Sequence, residues 1–126
     1  MINELARAIY DACRVLGVPI YIKDTIPDGI VESERIIIIP KSIEDGTRWY
    51  RGFVEVNYLV PDKSDEADYI SMMEAENSLK VLKYGQGEVD GLQYRYRKYS
   101  VSYEKDESLK CHFVNYRLLT EIQKVI

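Results

Sequence analysis

With 126 residues, 46% hydrophobic and 30% charged, the chain has the composition of one packed domain, not of a disordered tract or a fibrous repeat. Its 17 lysines and arginines face 21 acids for a net charge of -4, which excludes a broad phosphate-binding surface and leaves nucleic-acid contact local at most. The start, Met1-Ile2-Asn3-Glu4, has acid where a secretory leader has base, and the densest apolar run, Ile36 to Ile39, stops at Pro40, far short of the roughly 20 residues that cross a bilayer; neither export nor membrane insertion is expected.

Ile2, Leu5, Ile9, Cys13 and Leu16 recur at spacings of three and four, which predicts an amphipathic helix over residues 3–16 with Gly17 as its stop. Val18 to Ile22 reads as extended. Pro27-Asp28-Gly29 supplies turn chemistry before a second extended run, Arg35 to Ile39, so a hairpin is expected. The four isoleucines do not alternate, which predicts a strand covered on both faces and central in its sheet.

Lys41 to Trp49 reads as a polar connection ending in an exposed pair, Trp49-Tyr50. In the strand that follows, Val54, Val56, Tyr58 and Val60 share the core face, while Phe53, Glu55, Asn57 and Leu59 share a mixed, partly wet one. A second helix is expected from Ser64 or Asp65, with acids in its first turn and a core stripe of Tyr69, Met72, Leu79 and Leu82.

Gly85, Gly87 and Gly91 are expected to end that helix and open a strand. Tyr94 and Tyr96 differ in parity from Tyr99, Val101 and Tyr103, so a bulge near Arg97-Lys98 is predicted. A polar turn at Asp106-Glu107-Ser108 leads to a last strand from Cys111; the tail, with Leu118, Leu119, Ile122 and Ile126, fits either helix or strand. The resulting fold class is α+β: a single domain over residues 1–126, with a mostly antiparallel or mixed sheet of about five strands carrying two helices, in the order α-β-β-β-α-β-β.

No motif on this scaffold names a reaction. His112 is the only histidine, and a lone strand-surface histidine is the plainer reading. Cys13 and Cys111 fall on apolar faces, which predicts two reduced, buried thiols and folding in a reducing cytoplasm; their spacing specifies no zinc site. The acids from Asp62 to Asp68 lack the glycine and closing glutamate of a calcium loop. Gly85-Gln86-Gly87 has a helix before it and a strand after it, the reverse of a phosphate cradle. Asp28 and Glu55 suggest a metal-dependent nuclease, but Asn57 stands where that pattern wants lysine. Tyr94-Arg95-Tyr96-Arg97-Lys98-Tyr99 interleaves base with aromatics, as single-strand binders do, although packing and protein interfaces account for the same alternation. Catalytic, cofactor and metal residues are therefore all expected to be none.

The order of elements, the phrase GVPIYIKDTIPDG and above all FVEVNYLVPDKSDEADYISMMEAENSL resemble the small tail-terminator or tail-completion proteins of tailed bacteriophages, and the likeness covers most of the chain. Related phage neck and minor capsid proteins share much of the pattern. The resemblance implies a structural, non-enzymatic role without cofactor. Subunits would close a hexameric ring on the tail tube, meet the tail-tube protein and the head connector, assemble in the host bacterial cytoplasm and end at the virion's head–tail junction. No family motif selects the contact residues. By residue type and expected exposure, Arg48, Trp49, Tyr50, Arg95 and Arg97 are the candidates for the interface. A generic protein-binding module of similar fold and the small nuclease are the alternatives.

Overall fold

The computed structural model describes residues 2–23 and 29–123. Helix α1 (Ile2–Cys13) continues through a 3₁₀ turn, Arg14–Leu16, to Gly17, whose left-handed backbone (φ 71°) ends it at a position where a side chain would be strained. Leu5, Ala6, Ile9 and Cys13 are buried, as the three-and-four spacing requires. The remaining elements are β1 (Ile20–Ile22), β2 (Arg35–Asp45), β3 (Trp49–Pro61), α2 (Tyr69–Ser78), β4 (Tyr84–Val89), β5 (Leu92–Asp106) and β6 (Cys111–Gln123). They make one mixed six-stranded sheet in the order β1-β2-β3-β6-β5-β4, with both helices on one face. The fold is α+β with two helices, and its sheet has one strand more than the sequence suggested.

Four local expectations change. First, Val18 to Ile22 and Arg35 to Ile39 do not form a hairpin: β1 and β2 pair in parallel, Ile20 opposite Ile36, an arrangement that a tight turn cannot connect. The Pro27-Asp28 part of the expected turn lies outside the described residues. Second, the supposed polar loop from Lys41 is mostly strand, because β2 runs on to Asp45 through a register shift between Pro40 and Ile43. Pro40 is tolerated because it lies beyond the end of β1, where β2 has lost its outer neighbour. β2 is therefore next to the edge and not central, although Ile36 and Ile38 are buried on the helix side and Ile37 on the other.

Third, α2 does not start at Ser64 or Asp65. Both have left-handed backbones, φ 54° and 64°, and close a tight turn in which Lys63 and Glu66 exchange backbone hydrogen bonds. The helix starts instead at Asp68, whose carboxylate accepts the Ser71 N–H at 3.2 Å, so the first helical turn itself has no acid. The core stripe becomes Met72, Ala75, Leu79 and Leu82, and Tyr69 points outward. Fourth, Gly85 and Gly87 lie inside a strand. β4 turns at Asp90-Gly91, both with positive φ, into β5.

The bulge is real and falls between Lys98 and Ser100; it returns Val101 and Tyr103 to the face of Tyr94 and Tyr96, while Tyr99, within it, meets Phe53 on the other face. The tail is strand through Gln123, and residues 124–126 lie outside the described part. β6 is the spine of the sheet, paired along its length with β3 on one side and β5 on the other. Its even-numbered residues Val114, Tyr116, Leu118, Thr120 and Ile122 are all buried on the helix side.

Cys13 and Cys111 are free and buried in separate clusters. Burial pushes the Cys13 thiol up to about 12; burial, aided by the charges of Asp106 and Asp62, pushes Cys111 up to about 11, so both stay protonated near neutrality. Neither thiol is expected to react with a bulky maleimide in the native protein, and both should react on unfolding, which intact-mass measurement before and after urea will show. No described helix is long and apolar enough to cross a membrane.

Candidate interaction face

The helices cover one side of the sheet and leave the other to side chains alone. On that open side the odd-numbered residues of β3 and β6 alternate with the buried set. At the end near Pro61, the loop residue Val31 and Leu109 in the β5–β6 turn cover Ile37, Leu59, Cys111 and Phe113. The described residues leave the opposite end open, and there the chain sets its arginines and aromatic rings.

The centre of that end is Glu121. Register places it between Arg51 on β3 and Arg95 on β5, and it accepts from Arg51 at 3.2 Å and from both Nε and a terminal nitrogen of Arg95 at 3.2 and 3.3 Å. The Arg95 guanidinium lies 4.7 Å above the ring of Trp49, so one arginine is held by a carboxylate beside it and an indole beneath it. Farther along, Arg117 lies 4.1 Å over Phe53, which meets Tyr99 edge to face at 4.9 Å. Arg97 sits opposite Tyr84 on β4 and Leu119 on β6, and these residues with Arg95, Gln86 and Glu121 line a shallow cleft of about 280 Å³.

Of the five residues expected at an interface, Trp49, Arg95 and Arg97 come together on this face. Trp49 is half-buried instead of fully exposed, because it opens β3 and carries Arg95 on its ring. Arg48 is exposed in the short turn that leads into β3. Tyr50 departs from the group. It pairs with Ile122 and so belongs to the helix side, as its even number, shared with Val54 and Val56, already indicated. Glu121, Tyr84 and Leu119 were missed, since only the pairing of strands distant in sequence brings them to Arg95 and Arg97.

Burial alone would push the Glu121 carboxyl up, but hydrogen bonds from Arg95 and Arg51, with their charges, outweigh it and hold it below the ordinary glutamate value. Its ion pairs therefore contribute stability that is in place above that ordinary value and is lost as pH falls through the lowered folded one. The stability difference between wild type and Glu121→Gln is expected to be constant from pH 7 to 6 and to shrink on acidification below about 4, as urea unfolding at each pH will show.

Of the positions that suggested a nuclease, Glu55 and Asn57 are otherwise engaged. Burial pushes the Glu55 carboxyl up, but hydrogen bonds from Asn115 and Lys41 and the charges of Lys41 and Arg117 bring it below the ordinary value. Lys41 Nζ stands 3.0 Å from Glu55, and Asn115 donates to both Glu55 and Asn57. Asp28 lies outside the described residues. Among the described residues no three of His, Cys, Asp and Glu are grouped to hold a metal. His112, at the far end of β6, has its Nδ1 2.6 Å from Asp62.

The second bare surface is on α2. Tyr69, Ile70 and Met73 are 61%, 74% and 63% exposed, an apolar stripe on the side away from the buried Met72 and Ala75.

No family model matches the sequence, and no curated protein does. Solved structures do share the fold. A chain in the virion of a native gene transfer agent particle superposes with a TM-score of 0.65 at 10% identity, over 98% of this chain and 92% of that one. The fold is one that a virion particle also uses. A second solved structure superposes with a TM-score of 0.58 at 17% identity, over 99% of this chain and 93% of its own. At these identities the likeness is one of fold, and it runs the whole length of each domain without a large insertion in either.

Proposed function

We propose that the chain is a structural subunit of a tailed-phage or phage-derived particle and that it acts as a tail terminator, closing the tail tube as a hexameric ring beneath the head connector. The observation that carries this reading is the end-to-end match of its fold to a chain of a gene transfer agent virion, which agrees with the resemblance of its sequence to tail-completion proteins. The molecule supplies what a ring needs. β4 forms one sheet edge, and beyond the three residues of β1 the outer side of β2 forms the other. Two unlike borders on opposite sides favour head-to-tail closure over a two-fold pair. On this reading the protein works without catalysis or cofactor. Its partners are further copies of itself, the tail-tube protein and the head connector, first in the host cytoplasm and then at the head–tail junction.

Native mass spectrometry over a range of concentrations, with negative-stain imaging alone and on purified tail tubes, tests it. A closed ring with a lumen is expected, and Trp49→Ala should weaken subunit association about tenfold or more by removing the ring that fixes Arg95. A chain that is monomeric throughout and leaves tail tubes uncapped would overturn the proposal. So would magnesium-dependent DNA cleavage abolished by Glu55→Gln.

A further inference from the structure

We infer that the subunit contact of the proposed ring is made by the outer face of α2, which seats Tyr69, Ile70 and Met73 in the cleft between Tyr84, Arg97 and Leu119 of the next copy. This rests on the ring reading above and adds to it the two surfaces that meet. Three observations point there.

The first is that none of the described residues covers the stripe on α2. Helix α2 buries Met72 and Ala75 inward yet carries large apolar groups outward, which a solvated helix does not need. The second is charge. The segment around the stripe holds Asp62, Asp65, Glu66, Asp68, Glu74 and Glu76 against Lys63 alone. The cleft is rimmed by Arg95 and Arg97, and among the described residues Arg97 has no ion pair. Glu121 in the cleft already pairs with Arg95, so Arg97 is the charge left to meet the acidic ridge, a complementarity that steers encounter and fixes register.

The third is placement. Leu118 and Leu119 are neighbours on β6, but Leu118 faces the core beneath the helices and Leu119 lines the cleft, so ridge and cleft lie on opposite faces of one sheet. A copy cannot satisfy both with a single partner related by a two-fold axis. The contact therefore runs head to tail, the kind that builds a ring where its rotation closes.

Two variants separate this contact from every other. Ile70→Asp with Met73→Asp disables the ridge, and Tyr84→Ala with Arg97→Glu disables the cleft; all four positions are exposed, and circular dichroism checks that both variants fold. Each alone is expected to be monomeric where the wild type forms rings, with subunit dissociation constants raised about 30-fold or more. Mixed in equal amounts they should form heterodimers and nothing larger, because only one intact ridge and one intact cleft remain in each pair. If either variant still closes rings, or if the folded pair does not dimerise, the assignment is overturned while the ring stands. Rings that survive both changes but no longer cap tail tubes would move the ridge's occupant from a second copy to the tail tube. A wild type that never assembles would overturn the ring itself.

Discussion

Replacing Gly85 with valine is expected to lower unfolding free energy by about 1–3 kcal/mol and to loosen β4 from the sheet. The reason is local and steric. Tyr96 on β5 lies across the backbone of its β4 partner, so any Cβ at Gly85 would overlap the end of that ring and its hydroxyl. The ring cannot swing aside, because Tyr96 is buried against the core with Leu82 and Leu118. Gly87 has the same arrangement with Tyr94, whose ring stacks on that of Tyr96 at 6.3 Å. Tyr94 is only half-buried and can give, so Gly87→Val should cost less. The double variant Gly85→Val with Tyr96→Ala removes the clash, and its loss should fall short of the sum of the two single ones. Urea unfolding of the four proteins measures the coupling, and additive losses would mean that the glycine serves some other need than room for the ring.

That pair of glycines also shows where sequence reading stops. A glycine next to a helix reads as its end, and only the facing strand reveals that it makes room for a tyrosine ten or so residues away in the chain. What depends on near neighbours was legible. The burial of Leu5, Ile9 and Cys13, the two faces of β3, the bulge after Lys98 and the buried thiols all follow from spacing or residue type. What depends on partners was not. The direction of β1, the extension of β2 past Pro40 and the Arg51–Glu121–Arg95 rung need the register of strands distant in sequence. Tyr69 failed for another reason: two consecutive left-handed residues delay the helix to Asp68, so Tyr69 is its first residue and stands exposed while Met72, Leu79 and Leu82 keep the core. Residue type drew attention to Trp49, Arg95 and Arg97, and register brings them onto one sheet face, where the Arg95 guanidinium lies over the Trp49 indole.

Two adjacent leucines on β6 separate fold from assembly. Leu118→Ala is expected to cost about 2–5 kcal/mol, a large part of the 5–15 kcal/mol that holds a domain of this size. Leu118 is fully buried on the spine of the sheet, between Val54 on β3 and Lys98 on β5, and packs into the cluster that both helices close. Emptying its site leaves a cavity that two flanking strands and two helices cannot jointly collapse. Leu119→Ala removes the same atoms one residue on, from the half-buried floor of the cleft, where solvent already reaches and no cavity forms. Its stability loss should stay under about 1 kcal/mol, within the range of changes at partly exposed sites. Its effect should appear instead in subunit association, since the cleft loses the surface that receives Met73 or Ile70. Urea unfolding and native mass spectrometry on the two variants give opposite rankings if the sheet has one face for folding and one for assembly. Equal losses of stability, or assembly untouched by Leu119→Ala, would show that the open face of β6 serves the fold alone.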